Sequence, residues 1–117
     1  MRDHTKLKAF QLADEIALAT YQETKLFPKE EIYGLTSQMR RAAVSVPSNI
    51  VEGCARESLP DYLRFLGIAF GSLKELHYQY SLAKRLEYFG ENFSILDTKI
   101  QETEKVLGAL IRSLRKR

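Results

Sequence analysis

The sequence predicts an all-α fold, an antiparallel up-down-up-down four-helix bundle in one domain, residues 1–117. Three observations lead there. Apolar residues recur at three- and four-residue steps along four long stretches, and no useful length of strand-like alternation occurs. Only six Gly and three Pro punctuate the chain, so its regular elements are long. The connectors are short, which sets consecutive helices antiparallel.

The first helix is expected over about 6–26, with Leu7, Phe10, Ala13, Ala17 and Tyr21 as its stripe and Ile16 and Leu18 widening it. Asp3 or Thr5 caps its start, and Pro28 ends it by pushing Phe27 out of helical geometry. The connector PKEEIYG has room for one helical turn. The second helix covers about 35–55, with Thr36 a candidate cap. Pro47 lies inside it and predicts a kink, with Ser45, Ser48 and Asn49 nearby to satisfy freed backbone groups.

The third helix, about 59–88, opens on Ser58 as cap, with Pro60 in the first turn and Asp61 completing a capping-box pattern. Its apolar positions run from Tyr62 through Phe65, Leu66, Ala69, Phe70, Leu73, Leu76, Tyr80 and Ala83 to Leu86, and Gly90 stops it. Gly67 and Gly71 each weaken a helix by about 1 kcal/mol relative to Ala, so close approach of another backbone is expected there. The fourth helix, about 95–115, starts after Ser94 with Asp97 as its acid. Leu96, Ile100, Thr103, Leu107, Leu110 and Leu114 form its stripe.

Composition narrows the class. Hydrophobic residues at 44% and charged residues at 28% are globular values and argue against disorder. No apolar run reaches the ~18 residues of a membrane span. The start MRDHTKLKAF has no apolar signal core, so a cytoplasmic setting is expected. Cys54 is the only cysteine, which forbids an intramolecular disulfide, fits a reducing compartment and reads as a small core residue.

Catalytic patterns are absent. There is no HExxH, CxxC or Glu-x-x-His pair and no Gly-rich phosphate loop, so no enzyme, metal site or cofactor is expected. Glu75 and His77, two apart, point to different faces of a helix.

The most distinctive feature is polar. Gln38, Arg41, Ser45, Asn49, Glu52 and Arg56 step by three or four and share one face of the second helix. Ser72, Glu75 and Gln79 share a face of the third. The two stripes are expected to meet, with Arg41 or Arg40 pairing Glu75 and Asn49 bonding a backbone carbonyl or Ser72. Such a network fixes register and subunit docking, or else it is a ligand or nucleic-acid site. Phe65, Phe70, Leu76 and Tyr80 exceed one narrow core, which suggests a surface buried between subunits.

Eighteen basic residues face fifteen acidic ones, for a net charge of +3. The ending RSLRKR holds four of the basic groups; without it fourteen face fifteen. Arg112, Arg115, Lys116 and Arg117 are a helix end with favourable dipole charges, or a phosphate-binding tail that symmetric assembly would multiply. Tyr33, Tyr62, Tyr78, Tyr80 and Tyr88 are base-stacking candidates, or core-edge and interface residues.

The run FPKEEIYGLTSQMRRAAVSVPSNIVEGCARES, followed by YLRFLGIAFGSLKEL, resembles the four-helix-bundle family of 23S rRNA intervening-sequence proteins, from about Leu7 to Leu114. The most specific pieces are Phe27-Pro28 with Glu31, Gln38 to Ala42, Ser45 to Ile50, Glu52-Gly53, and Gly71-Ser72 with Glu75. The resemblance implies a bacterial bundle that assembles into a ring, a homopentamer. A group of similar fold, the accessory proteins of diversity-generating retroelements, implies a nucleic-acid-binding barrel. The resulting expectation is a non-enzymatic oligomeric binding or scaffold protein whose partner is RNA or DNA. The alternative is a protein-interaction adaptor ring that never touches nucleic acid.

Overall fold

The structure, a computed structural model, describes residues 2–117. It contains four α-helices, α1 (Lys8–Thr24), α2 (Leu35–Cys54), α3 (Leu59–Arg85) and α4 (Leu96–Arg115), and no strand among the described residues. Each helix packs on its neighbours in sequence and α1 also packs on α4, closing a four-membered ring about 45 Å long. The core is aliphatic: Leu12 and Ile16 of α1, Met39 and Ile50 of α2, Leu66 and Leu73 of α3, and Ile100 and Leu107 of α4 are all buried.

Asp3 caps a 3-10 turn, His4–Lys6, rather than α1, by accepting from Thr5 N at 3.0 Å; α1 itself starts two residues late without a side-chain cap. Its buried stripe is Ala9, Leu12, Ala13, Ile16, Ala19, Thr20 and Thr24. Leu18 and Tyr21, expected inside, are exposed. The threonines displaced them because their hydroxyls bond their own helix: Thr20 Oγ1 donates to Ile16 O at 2.8 Å and Thr24 Oγ1 to Thr20 O at 2.6 Å. A Thr so satisfied is as buriable as a small apolar residue.

Thr36 is buried and does not cap α2. Glu31, from the 3-10 turn Lys29–Glu31, does so from outside: Oε1 accepts from Leu35 N at 2.9 Å and Oε2 from Tyr88 Oη at 2.6 Å. The second bond ties the α1–α2 connector to the one after α3. Phe27 reinforces it, its ring 5.3 Å from that of Tyr88 and 5.2 Å from that of Phe89. Helix α2 continues through Pro47. The carbonyl that Pro47 leaves without a helical donor is that of Ala43, yet the Asn49 side chain reaches Ser45 O instead, at 2.8 Å.

Ser58 caps α3, accepting from Asp61 N at 3.2 Å. The reciprocal half of the capping box is missing, because arginines claim Asp61: Arg64 at 2.9 Å and Arg56 at 3.7 Å. The end of α3 is also earlier than expected. Gly90 does not stop it; Glu87 does, as a left-handed residue with φ 63° directly after the C-cap Leu86. Tyr88 N then bonds Ala83 O at 3.0 Å, the backbone closure of a Schellman motif with a non-glycine at its pivot. Ser94 acts two residues before α4, accepting from Leu96 N at 3.1 Å, while Asp97 takes Gln101 rather than the cap backbone.

Phe65, Leu76 and Tyr80 are buried and Phe70 is half-buried, so one chain accommodates all four. The surplus apolar surface of α3 is Ile68 and Tyr78 instead. Gly67 and Gly71 approach nothing: a Cβ at either meets no atom within 4 Å. The glycine crowded by a neighbouring helix's backbone is Gly53 at the end of α2, where a Cβ would lie 3.0 Å from Phe65 Cβ and 3.3 Å from Tyr62 O. Cys54 beside it is buried, and burial pushes its thiol pKa up.

A left-handed non-glycine costs about 1–2 kcal/mol. Glu87→Gly removes that strain against a smaller loss of unfolded-chain entropy, so the melting temperature should rise by about 2–5 °C in a thermal scan. An unchanged or lower value would contradict the strain.

Candidate functional site

Two regions gather polar groups. The first is a groove of about 530 Å³ between α2 and α3, lined by Gln38, Arg41, Ala42, Ser45, Ser72, Glu75 and Gln79. The two polar stripes do meet. Ser45 Oγ and Ser72 Oγ lie 2.8 Å apart, joining the helices, and Asn49 Nδ2 donates to Ser45 O and, at 3.0 Å, to Ser45 Oγ.

The rest of the expected network is arranged differently. Gln38, Arg41, Glu52 and Glu75 are exposed, and only Ser45, Asn49 and Ser72 are half-buried. Arg40 turns to α1, where Nε donates to Thr24 Oγ1 at 2.9 Å and the guanidinium covers the Tyr21 ring at 4.9 Å. Arg40 therefore does not pair Glu75. Arg41 and Glu75 line the same groove, but neither makes an ion pair or side-chain hydrogen bond among the described residues. Glu52 leaves the groove for Arg56, 3.4 Å away. Gln79 is the outlier. It is only 5% exposed, and its Oε1 has no hydrogen-bond partner.

The second region is one end of the molecule. Arg2 N donates to Cys54 O at 3.3 Å and Arg2 Nη1 to Arg56 O at 2.8 Å, which seats the N-terminal segment on the end of α2. The Arg2 guanidinium lies 4.1 Å over the Tyr62 ring at the start of α3. Burial first, then Cys54, pushes the Tyr62 hydroxyl up to about 12, while Arg2 and Arg117 of the tail pull it down. Arg117 is thus near enough to be felt at Tyr62. Arg2 and Arg117 therefore stand at one ring, and Arg56 and Arg64 lie beside it on the Asp61 carboxylate, with Glu57 next to Arg2 and Arg56.

Sequence reasoning missed the role of His77. Its Nδ1 lies 2.9 Å from Glu104 Oε2, which also holds Lys74 at 3.3 Å, so α3 and α4 are linked through one half-buried carboxylate. The signal was a residue 27 positions away, with no local pattern to reveal it. No group of three or more metal-ligating side chains forms among the described residues. No helix there is long and apolar enough to cross a membrane.

Fold and sites together define an all-α, four-helix domain with polar surfaces and nothing that points to catalysis. The family model described as 23S rRNA-intervening sequence protein matches residues 5–109, and the chain belongs to that family. In fold it is similar to a solved protein of unknown function from the S23 ribosomal protein family of Bacteroides thetaiotaomicron VPI-5482. The two share 22% identity at a TM-score of 0.75, over 89% of this chain and 95% of that one. No curated protein matches the sequence.

Two measurements check the geometry. A double-mutant cycle on Ser45→Ala and Ser72→Ala should give a coupling of about 0.5–1.5 kcal/mol in denaturant unfolding, and additivity would place the hydroxyls out of contact. The Glu31 carboxylate is held below its usual range, first by Leu35 N–H and then by the Tyr88 hydroxyl. Its contribution is complete above the ordinary glutamate range and is lost as pH falls through its lowered folded value. Glu31→Gln should therefore melt below wild type at pH 7, and the gap should narrow as pH falls below the ordinary glutamate range, since protonation removes the same charge. A constant gap across that range would exclude the linkage.

Proposed function

We propose that the chain is a non-enzymatic, cytoplasmic binding or scaffold protein that engages RNA or DNA through its basic end. In this reading the bundle runs up-down-up-down with a bend at Pro47, and copies assemble into a ring, a homopentamer, that sets several basic ends on one rim. The observation that carries it is the convergence on Tyr62. The charge count of the chain without its tail is slightly negative, yet the fold brings Arg2 and Arg117, from the two ends of the chain, to one ring, with Arg56 and Arg64 beside it. Arg112, Arg115, Lys116 and Arg117 supply the phosphate contacts, because their charges have no ion-pair partner among the described residues. Arg56 and Arg64 are pinned by carboxylates and frame the surface. The family description, with its reference to 23S rRNA, supports nucleic acid as the partner class.

A second reading, a protein-interaction adaptor ring, draws on the connectors. Tyr33 is 94% and Phe93 85% exposed, with Leu26 and Ile32 also open to solvent, and Leu26 and Phe93 line one small cleft. Apolar side chains so exposed suit a protein partner.

RNA and DNA affinity measured over a salt series decides between them. Each phosphate contact contributes about 0.7 to 0.9 to the slope of log K against log salt. Removing residues 112–117 deletes four positive side chains and should lower the slope by about 3. Absence of salt-dependent binding by the full chain would favour the adaptor.

A further inference from the structure

We propose that the α2–α3 groove is a binding site for a free amino acid whose side chain ends in a hydrogen-bond donor, such as a carboxamide or a guanidinium. The site is separate from the basic end, and the inference stands without the nucleic-acid reading.

The chemistry follows from what the groove leaves unpaired. Its volume, about 530 Å³, is within the range of small-molecule sites, but its lining is polar where most such sites are apolar, so its occupant is polar throughout. Arg41 and Glu75 line the groove with opposite charges and do not neutralise one another. A guanidinium left free takes a carboxylate in a forked, two-bond contact; a free carboxylate takes an ammonium. One small zwitterion satisfies both.

Gln79 selects among zwitterions. Its Oε1 is buried without a partner, although a buried amide oxygen normally has one. Ser45 and Ser72 line the same groove, but neither hydroxyl lies within hydrogen-bond distance of this oxygen. A carboxylate or ether on the ligand cannot supply it either, because Oε1 only accepts. A side-chain N–H donor on the ligand, reached by a small turn of the Gln79 amide, does.

Isothermal titration of the full-length protein tests this with L-glutamine and L-arginine as probes. L-Alanine is the zwitterion lacking the donor, succinate carries only the anion, and putrescine only the cation. Saturable one-site binding by L-glutamine or L-arginine, at least tenfold tighter than by all three controls, is expected. Arg41→Ala and Glu75→Gln, both at exposed positions, should each weaken it tenfold or more. Gln79→Leu should abolish the preference over L-alanine while the unliganded protein melts at the same or a higher temperature, because a buried unpaired amide is gone. Retained binding in Arg41→Ala and Glu75→Gln would overturn the proposal. So would no heat from either probe. If no probe binds and Glu75→Gln instead changes the mass seen by light scattering, the groove is a contact between copies and the proposal fails.

Discussion

The close packing of α2 against α3 is the constraint on which the rest depends. Ala42, Ala43 and Val46 on one helix and Ala69 and Leu73 on the other are fully or nearly fully buried. Small side chains let two helix axes approach, and Gly53 marks the tightest point, with Phe65 Cβ and the Tyr62 carbonyl where its own Cβ would be. At that separation a pair of serine hydroxyls spans the outer edge of the seam, and the polar groove opens beside them. The same packing seats Tyr62 against the end of α2, where Arg2 finds both its carbonyls and its aromatic platform.

Both polar surfaces thus border one seam, and they differ in how their charges are managed. At the basic end, carboxylates hold the structural arginines and leave the tail free. In the groove, Arg41 and Glu75 form no ion pair with each other. The two surfaces also meet solvent differently: the tail is exposed, whereas Gln79 is shielded. Long-range attraction of a polyanion suits the first and recognition of a small polar molecule suits the second.

The helices were legible because amphipathic periodicity is a local property, and α2 and α3 are within a few residues of their expected limits. What was not legible required a partner distant in sequence. Glu31 caps α2 because Tyr88, 57 residues later, holds its other oxygen. Arg40 and Arg41 are adjacent and chemically alike; only the position of α1 sends the first to Thr24 and leaves the second in the groove. The glycines misled for the same reason. Gly67 and Gly71 have the spacing of a close contact but face open space, while Gly53 lies where the neighbouring helix is closest. The polar stripes were visible as a pattern, and the tail as a charge run; that Arg2 and Arg117 would stand at one ring was a property of the fold alone.

The seam is tested most directly by Gly53→Ala measured alongside Gly71→Ala. A methyl at position 53 presses on backbone and on a Cβ that cannot swing away, so Gly53→Ala should lose about 1–2 kcal/mol of unfolding free energy even after the helix-propensity gain of alanine. Gly71→Ala, with nothing near the new methyl, should gain about 0.5–1 kcal/mol in the monomeric chain. Equal stabilisation by both substitutions would show that α2 and α3 are not in close contact at Gly53, and the account of the groove and the basic end built on that contact would be wrong.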